Sequence, residues 1–156
     1  MKIEDELQSK FKNEYHKLAV NIHLTSSRLT EKFQEEMKRY DITSTQFNVL
    51  RILRGQNQKA VSIGLIKERM IERNSDVSRI IDRLVKKGLI ERSENQIDRR
   101  QKDVRITDKG MDLLAEIDQN NTILEGRLTH LSAEEVKSLN DLLDKARSGC
   151  NAEQTA

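Results

Sequence analysis

The sequence contains no proline and one cysteine, and aromatic residues make up only 3% of its 156 residues. The single cysteine, Cys150, excludes an internal disulfide and a four-cysteine zinc site. The chain also lacks an apolar run long enough to cross a membrane. Because helix-breaking proline is missing and strand-forming aromatic residues are scarce, the composition predicts one helix-rich domain with few, short strands and a core of Leu, Ile, Val and Met.

The first ten residues, MKIEDELQSK, carry acidic side chains and lack both the apolar stretch and the small-residue cleavage site of a signal peptide. We therefore expect a cytoplasmic protein without a membrane partner.

The sequence also has no phosphate-cradling glycine loop, no nucleophile elbow and no cluster of metal-type His and Cys residues. We accordingly expect neither enzymatic activity nor a cofactor. His16 and His23 lie seven residues apart in a predicted helix, so both can face the same way. We interpret them as core or surface histidines, and a metal site across a dimer axis is the alternative.

Positive charge is concentrated in the middle of the chain, although the net charge of the whole is only +2. Residues 41–110 contain 16 Lys and Arg against 10 Asp and Glu, whereas residues 1–40 carry +1 and residues 111–156 carry −5. A polyanionic partner is therefore expected to meet the middle segment.

Apolar residues recur every three or four positions from Leu7 to Met37 without an intervening glycine or proline, which predicts one long amphipathic helix. A second helix is predicted to begin at Thr43, where Gln46 completes a capping box. Gly55 occupies the position of a left-handed C-cap at its end.

Ser62 is predicted to cap a third helix that has Ile63, Ile66 and Met70 on one apolar stripe and ends around IERN at residues 71–74. A fourth helix follows from about Ser75 to Lys87, with one apolar face and one polar, mostly basic face, and Gly88 ends it. LIERS and KDVRI then predict two short strands joined by a polar loop. The apolar face of the fourth helix consists of Val77, Ile80, Ile81, Leu84 and Val85.

The last third of the chain predicts two more helices. One begins at Thr107 and continues through Leu128, and the other begins with a capping box formed by Ser132 and Glu135. Because the long terminal helices need partners for their apolar stripes, we favour a homodimer over packing within one monomer. The predicted regions are an N-terminal dimerisation helix (1–40), a winged helix-turn-helix module (41–110), C-terminal dimerisation helices (111–148) and a flexible tail (149–156).

Two short helices with a tight connection and a following hairpin are typical of a winged helix-turn-helix, in which the second helix enters the major groove of DNA. Arg79, near the N-terminal end of that helix, can bind guanine O6 and N7 together. Arg83 and Lys86 lie further along and are better placed for phosphates. Taken alone, the same residues are also consistent with a solvated basic face. The candidate DNA-binding residues of the three helices are Thr43, Ser62, Asn74, Ser75, Asp76, Ser78, Arg79, Arg83 and Lys86.

The segment SRIIDRLVKKGLIERSENQIDRRQKDVRITDKG resembles the MarR family of bacterial transcription regulators. The resemblance is carried by the DRL..KGLI.R run from Asp82 to Arg92, by the Asp-x-Arg pair at Asp98 and Arg100, and by the V.IT..G stretch that ends at Gly110. TSTQFNVLRIL at residues 43–53 also resembles the second helix of the family, and the similarity extends over about residues 7–147.

The resemblance implies a mainly helical fold with a small β-hairpin and a homodimer held by the first and last helices. Such a dimer binds a pseudo-palindromic operator on double-stranded DNA and usually represses transcription. The resemblance further implies that Arg100 at the wing tip reaches the minor groove, that Asp98 holds the wing through a salt bridge, and that Arg99 and Lys102 contact phosphates. An architectural or protein-binding winged helix without operator specificity is the alternative.

Members of this family commonly sense a small phenolic or lipophilic molecule, or oxidation of a cysteine in the first helix. No cysteine lies in the first predicted helix here, so sensing by that route is not expected. A pocket lined by residues such as His23, Phe47 and Met111 is the predicted effector site, although these residues are also ordinary core candidates.

Overall fold

The computed structural model of the chain describes residues 2–57, 59–72, 74–95, 102–120 and 125–152. Its contacts divide the chain into two units, Met1–Asn121 and Thr122–Ala156, which we describe separately. Across the described residues, no helix is both long and apolar enough to span a membrane.

The first unit is mainly helical with one small sheet, which confirms the predicted fold class. Its elements in chain order are α1 (Ile3–Leu7), α2 (Glu14–Arg39), α3 (Ser44–Arg54), β1 (Val61–Ser62), α4 (Ile63–Arg69), α5 (Val77–Lys86), β2 (Ile90–Glu94), β3 (Lys102–Ile106) and α6 (Asp108–Asn120).

The prediction of one helix running from Leu7 to Met37 is wrong at its N-terminal end. Helix α1 ends at Leu7 because Gln8 adopts a left-handed conformation with φ 48°, and α2 begins only at Glu14. Asn13 caps α2 by accepting a hydrogen bond from the His16 N–H at 2.9 Å, a local bond that competes with continuation of the helix.

The strands form an antiparallel sheet in the order β1-β3-β2. The predicted hairpin is confirmed, with Ile90 opposite Ile106 and Glu94 opposite Lys102. Val61 pairs with Val104, so the two-residue strand β1 adds a third strand that the sequence analysis missed because alternation cannot be recognised over two residues.

Helix α5 buries Val77, Ile81 and Leu84, which are at most 5% exposed. It packs against α3 and α4, and α3 in turn contacts α2, α6 and β3. Burial of each large apolar side chain contributes about 1.5–3 kcal/mol, so this cluster stabilises the module that presents the opposite face of α5. The other buried residues of this core cluster are Met37, Ile42, Val49, Leu50, Leu53, Ile66, Met70, Leu89, Ile90, Val104, Ile106, Leu114 and Ile117.

Two glycines, Gly55 and Gly110, lie near helix ends and have different structural roles. Gly55 follows α3 with φ −64°, so the predicted left-handed C-cap is wrong there, and the left-handed residue is Asn57 with φ 52°. At Gly110, a Cβ would lie 2.3 Å from the Leu89 carbonyl oxygen. The backbone of α6 therefore approaches the chain after α5 too closely for any side chain at this position.

Thr107 joins α6 to the end of α5. Its hydroxyl oxygen donates to the Gly88 carbonyl at 2.7 Å and accepts from the Gly110 N–H at 3.2 Å, as a cap should. The predicted start of α6 is therefore confirmed. The structure describes α6 as far as Asn120, and residues 121–124 of the predicted continuation to Leu128 lie outside the described residues.

The second unit contains α7 (Glu125–Leu128) and α8 (Ala133–Ala152). The predicted capping box is confirmed, since the Glu135 N–H donates to the Ser132 hydroxyl at 3.2 Å and the Ser132 N–H donates to the Glu135 carboxylate at 2.8 Å. The predicted helix end at 148 is wrong. Gly149 meets nothing within 4 Å and does not interrupt α8, and residues 153–156 lie outside the described residues.

Candidate nucleic-acid interface

Helices α4 and α5 form the predicted helix-turn-helix, and two side chains shape the turn between them. Asn48 of α3 accepts a hydrogen bond from the Ile71 N–H at 3.2 Å, which ties the turn to the core. Asp76 caps α5 by accepting from the Arg79 N–H at 3.2 Å. The sequence analysis proposed Asp76 as a DNA contact and did not foresee this capping role.

The face of α5 opposite the core is polar and exposed. Arg79 has 80% of its side chain exposed, and its Nε lies 3.2 Å from an Asp76 carboxylate oxygen. An ion pair this exposed adds little stability, so the guanidinium can exchange its partner for a ligand at small cost. Asn74 and Ser78 are exposed beside it, and Ser75 is half-buried with its hydroxyl 3.3 Å from a Glu72 carboxylate oxygen.

Further along α5, Arg83 and Lys86 face a cleft of about 450 Å³ that also contains Lys38 of α2 and Thr43. Among the described residues, the structure gives Lys38, Arg83 and Lys86 no acidic partner. Thr43 caps α3, whose first turn contains no acidic residue. The cleft also contains the Asp41–Lys87 ion pair, so the three other cations leave it net positive beside a helix N-terminus, which favours an anion such as a phosphate.

Thr43 and Ser62 are engaged in capping. The Thr43 hydroxyl accepts from the Gln46 N–H at 3.1 Å, which confirms the predicted capping box, and the Ser62 hydroxyl accepts from the Leu65 N–H at 3.2 Å. Thr43 shares the cleft with the α5 cations, whereas Ser62 belongs to β1 and the start of α4.

Polar contacts hold the β2–β3 hairpin at the end where the wing loop begins. Asn95 donates to both carboxylate oxygens of Asp103, at 3.1 and 3.0 Å, and Lys102 lies 3.1 Å from a Glu94 carboxylate oxygen. Arg92 of β2 lies 2.6 Å from Asp82, so an ion pair joins the wing to α5. The wing-loop candidates Asp98, Arg99 and Arg100 lie outside the residues that the structure describes.

The three effector candidates lie in different surroundings. His23 is exposed in a groove of about 350 Å³ along the polar side of α2. Phe47 is half-buried and meets the Phe33 ring edge-on, with ring centroids 5.3 Å apart. Met111 packs partly buried against the core. In the described part of the chain, no three His, Cys, Asp or Glu side chains come close enough together to hold a metal ion.

Sequence reasoning missed Lys38, Asn48 and the Asp82–Arg92 pair. Asn48 and Ile71 are 23 residues apart, and Lys38 lines the same cleft as Arg83 because α2 and α5 both pack on α3. Local periodicity carries no signal for such contacts, since they depend on tertiary packing.

A model of the MarR family matches residues 42–102 of the chain, from the turn after α2 to the start of β3. The HTH-type transcriptional regulator MgrA of Staphylococcus aureus is 31% identical over 108 residues, which cover 69% of this chain and 71% of MgrA. The residues matched by the family model include α5 and, from the cleft, Thr43, Arg83 and Lys86, whereas Lys38 lies before the match.

Solved structures agree with these sequence matches. A mutant MarR from E. coli complexed with operator DNA has a TM-score of 0.75 and 30% identity, covering 88% of this chain and 99% of that chain. BpsR from Bordetella bronchiseptica, whose DNA binding is regulated by 6-hydroxynicotinic acid, has a TM-score of 0.73 and 25% identity, covering 84% of this chain and 98% of that chain. On the shared sequence, fold and helix-turn-helix geometry, the chain belongs to the MarR family of transcription regulators.

Proposed function

We propose that this protein is a homodimeric, sequence-specific transcriptional repressor that binds a pseudo-palindromic operator and leaves it when a small effector binds. The observation that carries the proposal is the exposed face of α5, where Arg83 and Lys86 have no acidic partner in the described structure and continue into the cleft with Lys38. A cationic face on the second helix of a helix-turn-helix is suited to the major groove and its phosphates.

In this proposal the N-terminal end of α5 reads base edges. Arg79 leaves Asp76 to bind a guanine, while Asn74 and Ser78 bond to bases or phosphates. Arg83, Lys86 and the α3 N-terminus at Thr43 neutralise one stretch of backbone. Arg99, Lys102 and the wing-tip Arg100, steadied by Asp98, serve the neighbouring phosphates and minor groove.

The homodimer is supported by apolar side chains that one copy leaves in solvent. On α2, Tyr15, Leu18 and Ile22 are 85%, 52% and 40% exposed and share one helix face. On α8, Val136 and Leu139 are 37% and 45% exposed at a spacing of three residues. Long helices with exposed apolar stripes are stable when a partner covers them, and two-fold pairing is the commonest solution.

The effector is proposed to be a small phenolic or lipophilic molecule, bound near Phe47, Met111 and His23. The regulation of BpsR by 6-hydroxynicotinic acid supports a small aromatic ligand in a related fold. The Arg51 guanidinium lies 5.9 Å from the centre of the Phe47 ring, so a cation is already present beside the aromatic candidate.

The proposal is tested by selection from a random duplex library at physiological salt, with wild type, Arg79→Ala and Arg83→Ala in parallel. We expect wild type to enrich an inverted repeat whose half-site centres lie about 34 to 36 Å apart. Arg79→Ala should lose discrimination at one base pair, worth about 1–3 kcal/mol. Arg83→Ala should weaken all sites and lower the log–log salt slope by about one.

Arg147→Ala is the matched control, since Arg147 is an arginine with 69% of its side chain exposed that pairs with Asp144 three residues earlier on α8, outside the candidate interface. It should leave both the selected sequence and the salt slope unchanged. Binding that fades with salt but enriches no repeat would refute the operator and favour an architectural protein.

A further inference from the structure

Helices α2 and α5 end in the same backbone motif. At the end of α5, the Leu89 N–H donates to the Leu84 carbonyl at 3.0 Å and the Gly88 N–H donates to the Val85 carbonyl at 2.9 Å. Gly88 has φ +70°. This is a Schellman motif with glycine in the left-handed position, where glycine is the usual residue because it carries no Cβ. Since nothing lies within 4 Å of a Cβ placed on Gly88, only the backbone conformation favours glycine there.

At the end of α2 the same two bonds recur. The Ile42 N–H donates to the Met37 carbonyl and the Asp41 N–H donates to the Lys38 carbonyl, both at 3.1 Å. The left-handed residue is Asp41 with φ 53°, so an aspartate stands where α5 has glycine. Aspartate is one of the few residues besides glycine that adopt this conformation, so the motif is kept and a carboxylate is added at this position.

The Asp41 carboxylate contacts the end of α5. The Lys87 ammonium lies 2.8 Å from an Asp41 carboxylate oxygen and also donates to the Asp41 carbonyl. Lys87 is the C-cap of α5, and its own carbonyl accepts from the Lys109 ammonium of α6 at 2.9 Å. The left-handed turn after α2 is thus joined to Lys87, the C-cap of α5, whose carbonyl is in turn bound by Lys109 of α6.

We propose that the Asp41–Lys87 pair is a positioning pair that fixes the angle between α2 and α5, and thereby the distance between the two α5 helices of a dimer. The inference rests on the homodimer and operator proposed above, in which α2 belongs to the dimer interface and α5 enters the groove. Neither residue needs to touch DNA for this role. The pair sets the half-site spacing that the dimer prefers.

The surroundings of the pair favour this role over a purely stabilising one. Two clefts, of about 450 and 510 Å³, are both lined by Asp41, Lys86 and Lys87. The Asp41–Lys87 pair therefore borders both clefts. Helices α2 and α5 both pack on α3, and the pair adds a direct link between their ends. The Asp41 side chain is 95% exposed, and ion pairs this exposed are weak. The pair therefore biases the angle between α2 and α5 without locking it, and its loss should change the spacing preference by a small factor and the melting temperature little.

The test measures geometry in two ways on the full chain. Duplexes that carry the selected half-sites at the preferred spacing, and at one base pair more or less, are compared for wild type, Lys87→Met and Asp41→Gly. Separately, a spin label is attached to a cysteine introduced by Ser93→Cys, at an exposed position of β2, and Cys150→Ser removes the native thiol. The distance distribution between the two labels of a dimer is then measured without DNA.

Lys87→Met and Asp41→Gly are each expected to lower the discrimination between spacings by about two- to fivefold and to broaden the label distance distribution. Asp41→Gly restores the residue that the motif favours, so a loss of discrimination in that variant cannot be attributed to backbone strain. The matched control is Lys86→Met, which removes an adjacent lysine without an acidic partner among the described residues. It should weaken every duplex equally and leave the spacing preference and the distances as in wild type.

The outcomes separate the two proposals. A narrow distance distribution and an unchanged spacing preference in both Lys87→Met and Asp41→Gly would overturn the positioning role while leaving the dimeric repressor intact. A wild-type protein without dipolar coupling between labels, or without an enriched repeat, would refute the homodimer or the operator, and the positioning role with it.

Discussion

The recognition helix α5 and the C-terminal helix α8 are both amphipathic, but they differ in what covers their apolar side. Helix α5 has only ten residues, and Val77, Ile81 and Leu84 are buried against neighbouring helices. Helix α8 has twenty residues, yet among its described side chains none is buried, and Leu139 is 45% exposed. The difference shows that one copy of the chain completes the core beneath α5 but leaves apolar side chains of α8 exposed.

The two regions differ in the source of their stability, which is an internal core in one and association between chains in the other. The module from Ile42 to Ile117 contains its own core, so its folding should depend little on protein concentration. The stabilisation of α8 is expected to come from association, so it should rise with concentration. A charged substitution at an apolar position should therefore unfold the module in one region and dissociate the dimer in the other.

The largest effect is expected for Ile81→Asp. Ile81 is 0% exposed, so the substitution buries an unpaired carboxylate in the face of α5 that packs on α3 and α4. We expect a loss of about 4 kcal/mol or more, enough to abolish folding of the module. Leu139→Asp, on the exposed side of α8, should leave the denaturation of the module unchanged and instead shift sedimentation from dimer to monomer.

Urea denaturation followed by circular dichroism, together with analytical ultracentrifugation, checks both variants. A module that unfolds equally in Ile81→Asp and Leu139→Asp would show that its stability depends on the dimer, contrary to the comparison.

Smaller changes in the free energy of unfolding are expected when either of two helical glycines is replaced by alanine, and the two changes should have opposite signs. In Gly110→Ala the new Cβ would lie 2.3 Å from the Leu89 carbonyl oxygen and 2.7 Å from Ile106 Cγ1, so the start of α6 must move. We expect a loss of about 1–3 kcal/mol. In Gly149→Ala the Cβ meets nothing within 4 Å, and the higher helix propensity of alanine should stabilise α8 by about 0.5–1 kcal/mol.

Thermal denaturation of the two glycine variants at one protein concentration gives the signs directly. Equal shifts in the same direction would mean that the close approach at Gly110 is relieved by a small backbone movement.

Local features of the fold were predictable from the sequence. The capping boxes at Thr43 and Ser132 and the apolar stripe of α5 depend on residues at most a few positions apart, and all are confirmed. The break after Leu7 was missed because the apolar spacing continues through it, while Asn13 caps a new helix start.

Tertiary contacts of the candidate site were not predictable in the same way. Asp41 and Lys87 are 46 residues apart, and Lys38 reaches the α5 cations only through packing on α3. The left-handed conformation of Asp41 also has no sequence signal, since glycine is the residue that normally indicates it. The residue types on the exposed face of α5 could be predicted, but the side chains that contact its C-terminal end from other elements could not.

The smallest effect is a pH dependence at the start of α8. The Ser132 N–H and hydroxyl hydrogen-bond to Glu135 and hold the pKa of its carboxyl below the ordinary value. A lowered pKa in the folded state means that the stabilisation is complete above the ordinary carboxyl value and is lost as the pH falls through the folded value. The start of α8 should therefore fray in acid.

Glu135→Gln tests this expectation, because glutamine can accept the same hydrogen bonds in a capping box without titrating. In an NMR titration of the wild-type chain, the Ser132 amide should shift as the pH falls into the acid range, and in Glu135→Gln the same amide should shift much less. Glu134→Gln removes the adjacent first-turn carboxylate, which takes no part in the capping box, and should titrate like wild type. If the Ser132 amide shifts equally in all three proteins, then Glu135 does not control this helix end, and the exposed α8 owes its start to the Ser132 hydroxyl alone.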